Sequence, residues 1–307
     1  GEGYHRKHGE AHAEVNAIES VKDKELLKGS TLLVNLEPCS HYGKTPPCAE
    51  RIVQEEIAEV IICNIDPNPL VSGRGINILK NAGINVECGV LQEEGYELNA
   101  RFFTFHTKKR PYIILKWAQT SDGFIDGNFS RPIRISNDIS KTCVHKLRAE
   151  EDAIMVGKNT ALKDDPKLGC RRYEGKAPLR IAIDRNLEIP TYYNFYDNAQ
   201  PTVIFNSLKD DGVRVKINFK KDIIPQILDW LYENKIQSLI VEGGKYTLEQ
   251  FIERGLFDAI QVEIGGTPCY SGVPAPTFST ENLVCEVDKF CDSTFIHYKK
   301  VNARNPF

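Results

Sequence analysis

Apolar positions recur along the first third of the chain with two alternating periods. Residues 11–22, 47–56 and 76–81 carry them at helical spacing, whereas 31–36, 59–65 and 84–88 read as strands. The run Asp66-Pro67-Asn68-Pro69 is a turn cluster between the second strand and the third helix. A helical pattern over 93–110 ends in Lys108-Lys109-Arg110, and Pro111 then opens an apolar strand at 112–117. A boundary is therefore expected near residue 109, dividing a domain 1–108 from a domain 109–307.

The second domain repeats the alternation. Strand-like runs fall at 153–156, 179–183, 202–205, 238–241 and 259–264, with helical patterns at 140–151, 222–234 and 247–254 between them. Strands separated by helices favour a mostly parallel sheet covered on its faces, so both domains are expected to be α/β.

Composition narrows the function classes. The chain of 307 residues is 41% hydrophobic and 26% charged, ordinary values for a globular protein with real cores. The net charge of −3 and the absence of long like-charge runs disfavour a nucleic-acid partner. No segment approaches the roughly 18 to 20 apolar residues of a bilayer span, and the N-terminus lacks a secretion signal, so a cytoplasmic location is expected. Nine cysteines are scattered without the density of a disulfide framework, which turns attention to metal.

His12-Ala13-Glu14 sets an imidazole and a carboxylate two residues apart at a helix start. Pro38-Cys39 follows a strand, and Cys48 opens the next helix. Three soft donors suit a catalytic zinc, which keeps a fourth position for water, whereas a structural zinc closes all four. His12, Cys39 and Cys48 are the expected ligands. Zinc lowers the pKa of its water, and Glu14, not a ligand, is placed to shuttle the proton to leaving ammonia. The pattern matches the histidine-x-glutamate and proline-cysteine elements of zinc base deaminases, except that Cys39 and Cys48 stand further apart than a C-x-x-C pair.

The signals in the second domain are fainter. No G-x-G-x-x-G fingerprint follows its first strand. The run from Ser238 to Leu248 sets Gly243-Gly244 between a buried strand and a helix N-terminus, where free amides favour phosphate. Lys116 lies on the first strand, Arg148 near the end of a helix, and 160–166 offers hydroxyl, ammonium and carboxylate groups read as one loop.

The run Glu37-Pro-Cys-Ser-His-Tyr-Gly-Lys-Thr-Pro-Pro-Cys48 resembles the hallmark of bifunctional riboflavin-biosynthesis deaminase/reductases. Gly3-Tyr4-His5, His12-Ala-Glu-Val-Asn-Ala-Ile18, Asp66-Pro-Asn-Pro69, Arg110-Pro-Tyr-Ile113, Leu147-Arg-Ala149 and Glu242-Gly-Gly244 extend the likeness over the whole chain. The resemblance implies a cytidine-deaminase-like three-layer domain followed by a dihydrofolate-reductase-like domain. It implies zinc and NADPH as cofactors, a pyrimidine ribosylamino phosphate as substrate, and a homo-oligomeric assembly. His5, His41, Lys44 and Asp66 would contact the deaminase substrate. Arg148, Leu168, Arg171 and Glu242 would surround the reductase substrate, with Lys116 polarising its carbonyl. Ala118, Thr160, Asp164 and the turn Gly244, Lys245, Tyr246, Thr247 and Leu248 would hold NADPH.

Two departures accompany the likeness. Family members carry a helix and strand before the Gly-Tyr-His segment, so that portion is expected to be missing here. Where many relatives have a tryptophan, this chain reads Pro132-Ile133-Arg134-Ile135-Ser136, and cofactor contacts there are expected to differ. Two competing readings stand beside the main one. A nucleic-acid base deaminase shares the zinc pattern but conflicts with the charge balance and leaves the second domain unexplained. A reductase attached to an impaired zinc-binding domain is the other.

Overall fold

The computed structural model describes residues 1–7, 9–42, 46–68, 72–127 and 133–300. Among these the chain divides after Lys108 into two compact units.

The first unit runs α1 (Ala13–Ser20), β1 (Thr31–Leu36), α2 (Cys48–Gln54), β2 (Glu59–Asn64), α3 (Arg74–Asn81), β3 (Asn85–Cys88), α4 (Gln92–Leu98) and α5 (Ala100–Lys108). Its strands lie in the order β1-β2-β3, all parallel. Side chains alternate across β2. Val60 and Ile62 form one core with Ile18 of α1, Ile52 of α2 and Leu79 of α3. Cys63 faces the other way, toward α4, where a Cβ on Gly95 would lie 2.7 Å from the Cys63 Cβ. Helices on both faces of the sheet make three layers, and each fully buried aliphatic chain contributes about 1.5–3 kcal/mol. The single helical pattern over 93–110 is in fact two helices. At the break, Asn99 Nδ2 donates to the Gly95 carbonyl at 3.1 Å, a side chain competing with the helical ladder.

The second unit continues β4 (Tyr112–Gln119), β5 (Phe124–Gly127), α6 (Asp138–Glu150), β6 (Ala153–Gly157), α7 (Lys158–Asp164), β7 (Leu179–Ile183), β8 (Thr202–Asn206) and β9 (Arg214–Lys216). It ends with α8 (Ile223–Glu233), β10 (Ser238–Val241), α9 (Lys245–Glu253), β11 (Ala259–Ile264), β12 (Gly272–Pro274), β13 (Leu283–Phe290) and β14 (Ser293–Lys300). The main sheet has nine strands in the order β13-β14-β11-β4-β10-β6-β7-β8-β9. From β11 to β9 the pairings are parallel, and the β13–β14 hairpin adds an antiparallel edge.

The sheet separates two cores. Ile113 and Leu115 of β4 and Met155 of β6 point into one, and Ile154 and Val156 of β6 and Ile240 of β10 into the other. Lys116 and Glu242 therefore lie on the second face, beside one another, since Val241 is in register with Leu115. One reading of the sequence needs correction: most of 160–166 is helix, not loop. Ala161 is fully buried on the inner side of α7, and Asp165, at φ 39°, ends it.

Candidate active sites

In the first unit the three expected donors converge although they come from distant segments. His12 caps α1, Cys39 follows β1, and Cys48 opens α2. His12 Nδ1 lies 3.5 Å from Cys39 Sγ and 3.4 Å from Cys48 Sγ, and all three ligand atoms lie within 4.8 Å of one another. Donors on a tetrahedral zinc sit about 3.6 Å apart for bonds near 2.0–2.3 Å, so this set fits that ion.

The electrostatics agree with the fit. The Cys39 thiol is pushed down to about 4, first by its hydrogen bond with Cys48 and then by His12 and the Cys48 N–H, against the effect of burial. The same bond and burial push the Cys48 thiol up. His12 is raised, chiefly by Cys39. Glu14 is buried beside this group and holds its proton more tightly than an ordinary carboxyl, first because of burial and also because of the Cys39 charge.

The expected substrate residues are distributed unevenly. The exposed His5 ring lies 5.2 Å from the His12 ring, edge to face, and Asn16 Nδ2 fastens its segment to α1 through the Tyr4 carbonyl at 2.8 Å. His41 is exposed. Asp66 is half-buried, its carboxyl raised by burial and opposed by the charges of His106 and His41. Lys44 lies outside the described residues.

Sequence reasoning missed Glu37. This buried carboxylate accepts hydrogen bonds from the N–H groups of Asp66 at 3.3 Å, Gly73 at 3.0 Å, Gly75 at 2.9 Å and Ile76 at 3.3 Å. It ties the Pro38-Cys39 turn to the segment bearing Asp66 and to the start of α3. An acidic residue directly before Pro38-Cys39, at the end of an apolar strand, was the available signal.

In the second unit the carboxyl ends of β4, β6 and β10 open into a cleft of about 480 Å3, the usual ligand position on a parallel sheet. Lys116, Ala118, Arg148, Thr160, Asp164, Leu168, Glu242 and Gly244 all line it. Glu242 bridges two cations, with Lys116 Nζ at 2.9 Å and Arg148 Nη2 at 2.6 Å. Burial works to raise its pKa, but Arg148 and Lys116 outweigh that and bring it to about 2. Asp164 is raised by burial and by the charge of Asp126.

The turn after β10 is tightly built. A Cβ on Gly243 would meet the Gly157 nitrogen at 3.0 Å, and the Gly244 N–H donates to Thr160 Oγ1 at 3.0 Å. Thr247 and Leu248 donate their N–H groups back to the Gly244 carbonyl, and the Leu248 side chain is in the core. Tyr246 is exposed, Lys245 half-buried, and Arg171 is exposed outside the cleft lining. The cleft also takes in Asp126, Lys141 and 133–136, which carried no spacing signal in the sequence.

Residues 111–279 match the family model described as RibD C-terminal domain, and residues 1–64 match the cytidine and deoxycytidylate deaminase zinc-binding region. The riboflavin biosynthesis protein RibD of Aquifex aeolicus is 44% identical over 274 residues, covering 86% of this chain and 76% of that protein. Its namesake from Bacillus amyloliquefaciens is 39% identical over 285 residues, covering 87% and 76%. A crystal structure from Thermotoga maritima, a diaminohydroxyphosphoribosylaminopyrimidine deaminase/5-amino-6-(5-phosphoribosylamino)uracil reductase, superposes with a TM-score of 0.86 at 31% identity, covering 95% of this chain and 86% of that one.

Proposed function

The chain belongs to the RibD family of bifunctional riboflavin-biosynthesis deaminase/reductases, and from that premise we propose how its residues divide the two reactions. The first unit hydrolytically deaminates the diaminopyrimidine ribosylamino 5′-phosphate. The second reduces the ribosyl group of the resulting aminouracil to ribityl at the expense of NADPH. The observation that carries this reading is the convergence of His12, Cys39 and Cys48 beside buried Glu14.

Those three residues would hold the zinc, which when bound supplies a Lewis acid that makes water acidic enough to act as a nucleophile near neutrality. Glu14 takes a proton from the attacking water at its carboxylate and delivers it to the departing amine, so that water and amine become carbonyl and ammonia. Its raised proton affinity suits both halves of that exchange. His5, His41 and Asp66 bind the pyrimidine phosphate, and Lys44, by its chemistry, joins them. In the second unit, Thr160, Asp164, Ala118 and the turn 244–248 would hold NADPH, which when bound supplies the reducing equivalents. Glu242 fixes Lys116 and Arg148 in place, Lys116 polarises the carbonyl of the opened ribose, and Arg148 and Arg171 attract its phosphate.

Glu14→Gln tests the assignment. Zinc content should stay near that of the parent protein, deaminase kcat should fall by at least about 100-fold, and reduction of the deaminated substrate should persist. Retained deaminase turnover would remove Glu14 from the proton path.

The protein acts on small molecules, and among the described residues no helix is long and apolar enough to cross a membrane. A cytoplasmic setting is supported by nine cysteines that are all free. Self-association is supported by β13, an edge strand with exposed Val284 and Val287; light scattering should give more than one chain per particle.

A further inference from the structure

Glu263 of β11 has no part in the reactions above, yet its side chain is fully buried on the cleft face of the sheet. It lies in register with the cleft residue Ala118, while its neighbour Val262 points into the opposite core. Burying a carboxylate is unfavourable unless donors satisfy it. Here Ser136 Oγ donates to Oε2 at 2.7 Å and Ser293 Oγ to Oε1 at 3.3 Å, and no cation within ion-pair distance appears among the described residues. Ser136 belongs to the cleft wall.

Two further contacts fasten the same wall. Gly265, just past β11, approaches so closely that a Cβ there would stand 2.7 Å from the Ile135 carbonyl oxygen. Asn137 Nδ2 donates to the Phe290 carbonyl at 2.9 Å, Asp292 Oδ1 at 2.9 Å and Ser293 Oγ at 3.1 Å. Its Oδ1 accepts the Ser140 N–H at 2.8 Å and so caps α6, the helix that carries Arg148. Ser136 and Asn137 thus pin the cleft wall and the start of α6 to the β11 and β13–β14 edge.

We infer that Glu263 is a positioning residue of the reductase cleft, acting through Ser136 to hold the wall at 133–136 in its ligand-binding position. A carboxylate keeps this latch because both oxygens accept strongly from hydroxyls in a site without water competition, whereas an apolar residue of similar size leaves the Ser136 hydroxyl without that partner. The inference rests on reading the cleft as the reductase site.

The test measures Ser136→Ala, Glu263→Gln and Ser136→Thr in the full chain. Reductase KM for NADPH and for the deaminated substrate, kcat and Tm are followed, together with NADPH binding through the fluorescence of Trp117, which lines the cleft. Ser136→Ala and Glu263→Gln should raise at least one KM about tenfold, the scale of one hydrogen bond to a charged group. Their kcat should stay within about twofold, and Ser136→Thr should restore the parental KM. Unchanged KM in both variants, or a fall in Tm and kcat with KM unmoved, would overturn the latch. A parent protein that binds NADPH but reduces nothing would remove the reductase reading alone; a weaker NADPH affinity in Ser136→Ala would then still support the latch.

Discussion

Glu242 shows how a single carboxylate organises a cleft. Burial by itself would keep it protonated, but Arg148 and Lys116 draw its pKa from about 4.5 to about 2. A depressed carboxylate contributes stability that is complete above its ordinary pKa and is lost as pH falls toward the folded value. Between pH 5 and 8 the ion triad should therefore contribute no acid limb to the reductase rate profile. Glu242→Ala leaves Lys116 and Arg148 without their carboxylate partner in the cleft and should cost about 3 kcal/mol, read as a drop in the denaturant midpoint of the second unit. A rate limb near pH 6 that vanishes in this variant would contradict the ionised triad. At the deaminase site the balance runs the other way: burial, helped by the Cys39 charge, raises the proton affinity of Glu14, and its backbone hydrogen bond and the charge of His12 oppose that only in part.

At the scale of elements, the three candidate metal ligands are placed by where helices start. His12 and Cys48 stand at the beginnings of α1 and α2, and Cys39 follows β1. The third helix is fitted against them. A Cβ on Gly75, in the first turn of α3, would fall 2.0 Å from the Pro38 carbonyl oxygen, while Glu37 holds the Gly75 and Ile76 amides. Gly75→Ala must push α3 away from the Pro38-Cys39 turn. Overpacking of this kind costs about 1–3 kcal/mol, and zinc affinity, measured by chelator competition, should fall roughly tenfold with it. Parental affinity in that variant would mean that α3 does not position Cys39. Most helix periods and the limits of nine strands were legible from hydrophobic spacing, whereas α7 and the strands β5, β9, β12, β13 and β14 were not. The break at Asn99 was not, because the apolar pattern continues through it and its only mark is local, the Asn99 side chain sharing the Gly95 carbonyl with its own backbone N–H.

For the whole molecule, the two chemistries reside in separate compact units, Gly1–Lys108 holding the metal donors and the remainder holding the Lys116–Glu242–Arg148 triad. Removing zinc with a chelator should therefore abolish ammonia release from the amino substrate while NADPH oxidation with the deaminated substrate continues at close to its original rate. Readded zinc should restore the first activity. Loss of both activities on chelation would show that the second unit depends on the metal of the first. The acidic surface balance noted from the sequence accords with small-molecule substrates, and the match of 111–279 to the RibD C-terminal domain accounts for the part of the chain that a nucleic-acid deaminase reading leaves over.

Periodicity of apolar residues determined the α/β alternation, because side-chain period follows directly from backbone geometry. Residue chemistry at fixed spacing singled out His12, Cys39 and Cys48 as candidate metal donors and Glu14 as a candidate proton relay, because few side chains can serve a soft metal and a proton relay. Neither source reached Glu37, Ser136, Asn137 or Glu263. Their roles come from partners 29 to 39, 127 and 153 to 156 positions away in sequence, and a buried carboxylate differs from a surface one only in what folds over it. The tertiary structure also decided that Leu248 serves the core while Gly244 faces the cleft: the helix turns one side chain inward and leaves the other position open, which a contiguous motif cannot express.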